Sequence, residues 1–261
     1  SFAGVQMITL TEGEISELHI GLKGTMNALF LKDLAQKTHR GLEGRVRQGL
    51  SGGGNAFGYD VVKKVDAAGE PIRGERRINE DEATVVRRIF ELFAQGHSPR
   101  AIARALNADG MPGPKGRPWQ DTTIRGHAIR RTGVLRNDLY RGQLVWNKQH
   151  YLKDPKTGKR LARPNPQDQW IVEDVPHLRI IDDDLWQRVQ DRLTGIRTSA
   201  SVTKARNTRF WEHRRAHHLL TGLLRCSNCN SPLSSVGKDY LACGRARRTG
   251  TCNNTQRVRR H

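Results

Sequence analysis

Cys226, Cys229, Cys243 and Cys252 are the only cysteines of the chain. Cys226-Ser227-Asn228-Cys229 is a C-x2-C knuckle, and that spacing lets two thiolates on one tight turn reach a single ion at about 2.3 Å. Cys243 and Cys252 are spaced more widely and complete a four-thiolate set around an insert, Gly244–Thr251. The pattern predicts a structural zinc site with no open position for water, in a four-cysteine ribbon of short strands. The competing reading is two disulfides or free thiols, which a basic and cytoplasmic-looking chain disfavours. His213, His217 and His218 lie upstream, but four thiolates already fill a tetrahedron.

Arginines carry the second chemistry. Arg245, Arg247 and Arg248 lie between the last two cysteines, on what reads as a loop braced by the metal. Such a loop suits phosphate or minor-groove contacts. A helix starting at Asp121 or Thr122, with Ile124, Ala128 and Ile129 inward, presents Thr122, Thr123, Arg125, His127, Arg130 and Arg131 as candidate groove contacts. Arg and Thr at the front of such a helix can bond base edges. A plain three-helix core is the bland alternative. Arg100 and Arg104 on the preceding helix, and Arg45 and Arg47 near the end of a long N-terminal helix, are candidate backbone contacts. Trp119 reads as a core plug. Asp182-Asp183-Asp184 resembles a metal cluster but sits at a predicted helix start, where acids cap and complement the dipole. There is no G-x-x-x-x-G-K-[ST] and no HExxH, and no catalytic constellation emerges.

The elements that position these groups follow from periodicity and punctuation. Val5–Leu10 reads as a strand. Ile15, Leu18, Leu22, Met26, Phe30, Leu34, Leu42 and Val46 recur at near fourfold spacing on one long helix. Four residues turn a helix by about 400°, so this stripe creeps round the rod and its two ends need different partners. The first half is expected to pack on the domain of the first strand or on a twin helix, and the second half to face phosphate. Ser51-Gly52-Gly53-Gly54 reads as a flexible tether. Tyr59–Val65 and Arg73–Ile78 read as paired strands. Asn79 with Glu82 is a capping box for a helix carrying Val85, Val86, Ile89, Phe90 and Phe93. Ser98 and Pro99 start a second helix, and the Trp119 segment leads into the third. Leu139–Trp146 and Trp170–Val175 read as strands, residues 151–169 as a polar loop, and residues 194–215 as a basic linker helical in its second half.

The charge is +19 for 261 residues. It is concentrated: residues 196–261 carry 14 basic and 2 acidic side chains. Such an excess predicts a polyanionic partner, double-stranded DNA first. RNA fits less well, because only 6% of residues are aromatic. No run approaches the 18 or so apolar residues of a membrane span. Ser1 opens in a strand already under way and no element closes Arg257–His261, so the expectation is part of a longer cytoplasmic protein.

Taken in order, these pieces resemble the large serine recombinases, the site-specific recombinases of phages and mobile elements. "GVQMITLTEG" is similar to the last strand of that family's catalytic domain and "GLKGTMNALFLKDLAQKTHRGLEGRV" to its connecting helix. "GNAFGYDVV", "INEDEATVVRRIFELFAQGHSPRAIARALNADGMPGP" and "WQDTTIRGHAIRRTGVLRNDLYRGQLVWNK" resemble its recombinase domain, and "HLLTGLLRCSNC…YLAC…GTC" its zinc ribbon. The resemblance implies an α+β multidomain chain. Residues 1–50 would be the end of the catalytic domain and the connecting helix, 51–54 a linker, and 55–150 a helix-turn-helix-like recombinase domain with a small β unit. Residues 151–215 would be a strand-and-helix segment with a basic linker, and 216–261 the ribbon. It further implies dimers on DNA attachment sites, tetramers in synapsis, and a phosphoserine–DNA intermediate formed by a serine upstream of this chain. The family's frequent A-E-F-E-R run on the connecting helix reads here Asn27-Ala28-Leu29-Phe30-Leu31, apolar where the family has carboxylates. The alternative is a non-enzymatic zinc-ribbon and helix-turn-helix regulator.

Overall fold

A computed structural model describes residues 8–10, 13–65, 67, 69–207, 222–237 and 239–259. Residues 5–7 of the first expected strand, and His213, His217 and His218, lie outside the described residues. Strands β1 (Ile8–Thr9) and β2 (Gly13–Glu14) pair before helix α1 (Glu17–Arg47). Ser16 caps α1 by accepting from the His19 amide, and its own amide donates to the His19 ring. Gly49, at φ +75°, ends the helix: the Leu50 amide donates to the Arg45 carbonyl and the Gly49 amide to that of Val46. Leu18, Leu22, Met26, Phe30 and Leu34 are exposed. The second half of α1, expected to face phosphate, docks on the rest of the molecule. The His39 ring packs at a tilt against Trp146, centroids 4.7 Å apart, and Val46 is fully buried.

The Gly-rich segment is a packed elbow, not a tether. A Cβ on Gly52 would lie 2.6 Å from the Trp146 ring and 2.8 Å from Val46. Ser51 is buried, its amide donating to the Gly74 carbonyl at 2.8 Å, and Arg76 donates to the Gly54 carbonyl at 2.7 Å. Glycine is needed here for close approach, a requirement that a local reading takes for freedom.

Strands β3 (Tyr59–Val61), β4 (Lys64–Val65), β5 (Pro71–Ile72) and β6 (Arg76–Ile78) form an interrupted hairpin, β3 with β6 and β4 with β5. Asn79 caps α2 (Glu80–Ala94) through the Glu82 amide. The Glu82 carboxylate does not return to Asn79, as a capping box requires. It accepts from the Gly58 amide at 2.6 Å, while the Gly58 carbonyl takes the Asn79 amide, so it ties the hairpin to the helix. Helix α3 (Pro99–Ala108) follows, capped by Ser98 with Pro99 at its first position.

The third helix is shorter than its pattern suggests. α4 spans only Asp121–Arg125. Gly126, at φ +63°, turns the chain, and His127 and Thr132 bridge back across it. A Cβ on Gly126 would stand 1.5 Å from the Thr132 carbonyl oxygen, so the return path passes where a longer helix would run. Ile124 is buried as expected, but Ile129 is 65% exposed.

A 3-10 turn (Asp138–Arg141) and a left-handed Gly142 occupy the start of the strand expected from Leu139, leaving β7 (Gln143–Trp146). The polar loop is a hairpin of β8 (Gln149–Lys153) and β9 (Arg160–Pro164). Asp154 makes its turn, accepting from the Lys156 amide and the Thr157 hydroxyl. β10 (Ile171–Asp174) pairs antiparallel with β7. Asp182 caps α5 (Asp183–Thr198), Asp183 grips Arg179 and Asp184 pairs with Arg188, so the three acids hold the helix start. α6 (Ala200–Asn207) makes the first half of the expected linker helical.

One apolar cluster joins these parts. Phe90, Phe93, Ile89 and Val86 of α2 meet Ile102 and Leu106 of α3, Trp119, Ile124, and Leu185, Trp186, Val189 and Leu193 of α5. The expected boundary at residue 150 therefore runs through a core. Tyr59 donates to the Leu178 carbonyl at 2.8 Å and Tyr140 to that of Phe57 at 2.8 Å, so both buried phenols are satisfied. Burial holds both phenols neutral well above the usual tyrosine range.

Candidate metal centre and nucleic-acid interface

The ribbon is a three-stranded antiparallel sheet, β11 (Leu233–Val236), β12 (Tyr240–Cys243) and β13 (Arg257–Arg259), with β12 in the middle. The Cys226–Cys229 knuckle precedes β11, its turn closed by Cys226 N–H to Ser231 at 2.8 Å and Asn230 N–H to Cys226 at 2.9 Å. Asn230 adopts φ +53°, which asparagine tolerates better than most side chains. Cys243 ends β12, and Cys252 follows a short helix.

The four Sγ atoms lie within 4.8 Å of one another. Cys229 and Cys243 are 3.5 Å apart and Cys226 and Cys252 3.9 Å. A tetrahedron with metal–sulfur bonds of about 2.3 Å has edges of about 3.8 Å, so the set fits one ion. Backbone N–H groups of Cys229 and Asn228 favour the Cys226 thiolate and bring its thiol down to about 6. Asn254, which the spacing argument missed, supports two ligands: its side-chain amide donates to Cys226 Sγ at 3.3 Å and its backbone amide to Cys252 Sγ at 3.5 Å. Such outer contacts fix ligand orientation. No cysteine-spacing rule points to Asn254.

Arg245, Arg247 and Arg248 lie on helix α7 (Gly244–Arg248), not on an irregular loop. Arg247 donates to the Ser235 carbonyl at 3.0 Å, while Arg245 and Arg248 are placed on the same short helix. The ribbon touches α3. Asn107 donates to the Thr249 carbonyl at 2.7 Å and holds the Trp119 backbone at both its amide and its carbonyl. Arg104 lies against Gly250, and Arg100 is exposed.

The other candidates separate. Arg47 is exposed and pairs with Glu43 at 2.9 Å. Arg45 shares a cavity of about 380 Å³ with Arg76 at the elbow. Arg125, His127 and Arg130 lie on the outer side of α4 and the turn after it, with Arg125 at 4.0 Å from Asp121. Thr122 and Thr123 open α4 beside them, and Arg131 turns inward. Its guanidinium binds Asp138, which is 1% exposed, at 2.7 Å. Lys148 reaches the same carboxylate at 3.4 Å and Arg141 approaches to 4.0 Å. Burial lowers the Lys148 pKa, and Asp138 opposes that shift. Asp138 is thus a buried hub that local sequence reasoning could not see. Among the described residues no helix is long and apolar enough to cross a membrane.

Residues 80–195 match the family model described as Recombinase, and residues 219–261 match the one described as Recombinase zinc beta ribbon domain. No curated protein matches the chain. Two similar solved chains come from a crystal structure of an LSR–DNA complex and from a structure on the sequence requirements of the Listeria innocua prophage attP site. The first has a TM-score of 0.39 and 21% identity, over 85% of this chain and 59% of that one. The second has a TM-score of 0.38 and 22% identity, over 85% of this chain and 80% of that one. This chain therefore spans less than two thirds of the first.

A mixed helix-and-strand domain followed by a four-thiolate ribbon, each matched by its own family model, defines the class by its two modules. Over those residues the chain carries a recombinase domain and a recombinase zinc beta ribbon, with the four thiolates of the ribbon placed to hold a metal.

Proposed function

We propose that this chain binds the attachment-site DNA of a phage or mobile element for a recombinase that integrates, excises or inverts it. The catalytic serine and its phosphoserine–DNA intermediate would belong to a segment preceding this one. The observation that carries the reading is the union, in one chain of net charge +19, of the recombinase domain and the recombinase ribbon. The ribbon's ion is zinc, structural, held by Cys226, Cys229, Cys243 and Cys252. Four thiolates favour it and leave no site for a bound water. The groups around α4, Thr122, Arg125, His127 and Arg130, would approach a groove. Arg245, Arg247 and Arg248 of α7, with Arg100 and Arg47, would take phosphates. The recombinase unit would run from the elbow through α5, and the ribbon would occupy residues 216–261. Dimers on a site, tetramers in synapsis and a cytoplasmic location complete the proposal.

Selection from a randomised duplex library tests it. The expected result is enrichment of a defined sequence, bound with an affinity that falls steeply with salt, since each neutralised phosphate adds about −0.9 to the log–log slope. No enrichment, together with equal binding to an acidic polypeptide, would reduce the chain to a non-specific polycation.

A further inference from the structure

Several basic side chains in this protein are paired with a neighbouring carboxylate. Arg47 has Glu43, Arg87 has Glu80, Arg88 has Asp109, Arg179 has Asp183, and Arg131 has Asp138. Beside the Arg131–Asp138 pair two further arginines, without such a partner, line one cavity. A cavity of about 470 Å³ lies between the 127–132 turn, the 164–170 segment and α5. Its wall includes Arg131 and Arg136 from one stretch of chain and Arg197 from α5, and none of the residues lining it is acidic. Among the described residues no carboxylate comes within ion-pair distance of Arg136 or Arg197. Arg136 is half-buried, and its Nε is fully buried without a hydrogen-bond partner. The indole of Trp170 forms part of the wall and lies 5.6 Å under the Arg131 guanidinium, which fixes that charge in place.

Asp138 offsets the Arg131 charge, but the Arg136 and Arg197 guanidiniums have no anion, so they repel one another and the desolvated one gains nothing in return. Burial, and then the charges of Arg197, Arg131 and Arg125, depress the Arg136 pKa. A fork of N–H donors with no acceptor matches a phosphate oxygen pair. We propose that this cavity is a phosphate-binding site, with Arg136 and Arg197 as its free ligands and Arg131 as a fixed third charge. On the DNA-binding reading, on which this step rests, the phosphate is a backbone phosphodiester of duplex DNA. Neither Arg136 nor Arg197 belongs to the groove-facing set around α4. The cavity would therefore anchor the strand beside the groove contacts and carry no sequence information itself.

The test uses the full chain with Arg197→Gln, an exposed position on α5 where the fold tolerates the change, and Arg136→Gln as the second variant. Arg188→Gln, on the same helix but paired with Asp184 and away from the cavity, is the control. Two readouts are needed: duplex affinity against salt, and the melting-temperature shift given by inorganic pyrophosphate. Arg197→Gln should leave the anion-free melting temperature unchanged or raised, reduce the pyrophosphate shift, and lower the salt slope by about 0.9. The control should change none of these. If the wild type binds duplex and Arg197→Gln binds it with the same slope and the same pyrophosphate shift, the cavity is not a phosphate site, while DNA binding stands. If the wild type ignores duplex but pyrophosphate stabilises it through Arg197, the phosphate chemistry holds and DNA is not its source. If neither ligand acts on the wild type, both readings fall.

Discussion

The recombinase domain and the ribbon reach a fixed structure by opposite routes. The first buries Trp119, Phe90, Phe93, Tyr59, Tyr140, Ile89 and Trp186 in one cluster. The second buries little beyond Cys226, Ala242, Cys243, Gly244 and Thr249 among its described residues. Full burial of one large apolar side chain contributes about 1.5–3 kcal/mol, so the domain supports itself many times over and the ribbon does not. Four thiolates around an ion supply what the missing side chains cannot. The polar groups divide the same way. In the domain, Asp138 fixes three cations from inside; in the ribbon, Asn254 fixes two ligands of the ion.

Metal removal should give the largest contrast. Structural zinc in such sites is worth roughly 10–16 kcal/mol, so chelation, or Cys243→Ser, should unfold the ribbon while the domain keeps its own melting transition. Heteronuclear NMR would see ribbon resonances collapse and those of α2, α3 and α5 persist; a single joint transition would remove the distinction. Core damage should do the converse at smaller scale. Phe90→Ala should cost about 3–5 kcal/mol of domain stability with metal content unchanged. Asp138→Ala should cost a similar amount, because Lys148 and Arg131 are then left without their anion.

The pH response should separate the two regions as well. Tyr59 and Tyr140 titrate higher in the folded domain than in an unfolded chain. Their contribution is therefore complete below pH about 10 and is lost as pH rises above it, by up to about 1.4 kcal/mol per pH unit for each phenol. Alkaline unfolding followed by near-ultraviolet circular dichroism should report the domain, and Tyr59→Phe should make that dependence shallower. The ribbon should fail in acid, where protons compete with metal for thiolates. The smallest effects should appear at the DNA surface. Arg125→Ala should cost about 1–3 kcal/mol on cognate duplex only. Arg247→Ala should weaken cognate and scrambled duplexes alike; binding isotherms on both would expose a reversal.

What could be read from the sequence follows the same divide. Asn79, Ser98-Pro99 and Asp182 announce their helices because capping acts over three residues. The cysteines announce their site because a knuckle is fixed by spacing alone. The hairpin of β8 and β9 buries neither face, its apolar Tyr151, Leu152 and Leu161 being exposed, so it carries no apolar–polar alternation to detect. Gly52 reads as freedom until Trp146, far along the chain, is seen to fill its missing side chain. Gly126 likewise turns the chain because of Thr132 and Gly133 across the bridge, and the recognition-helix pattern ran past it. Asp138 and Asn254 show no local signature of their roles, since Lys148 and Cys226 are brought to them only by the fold.

The most direct test of the central claim is duplex-DNA affinity against salt concentration for the metal-loaded and the chelated protein. If both regions bind DNA and only the ribbon depends on metal, chelation should flatten the log–log slope by about 0.9 for each phosphate that the ribbon neutralises and leave a residual slope from the domain. An unchanged slope after chelation would mean that the ribbon does not engage DNA. Complete loss of binding would mean that the domain does not hold DNA on its own.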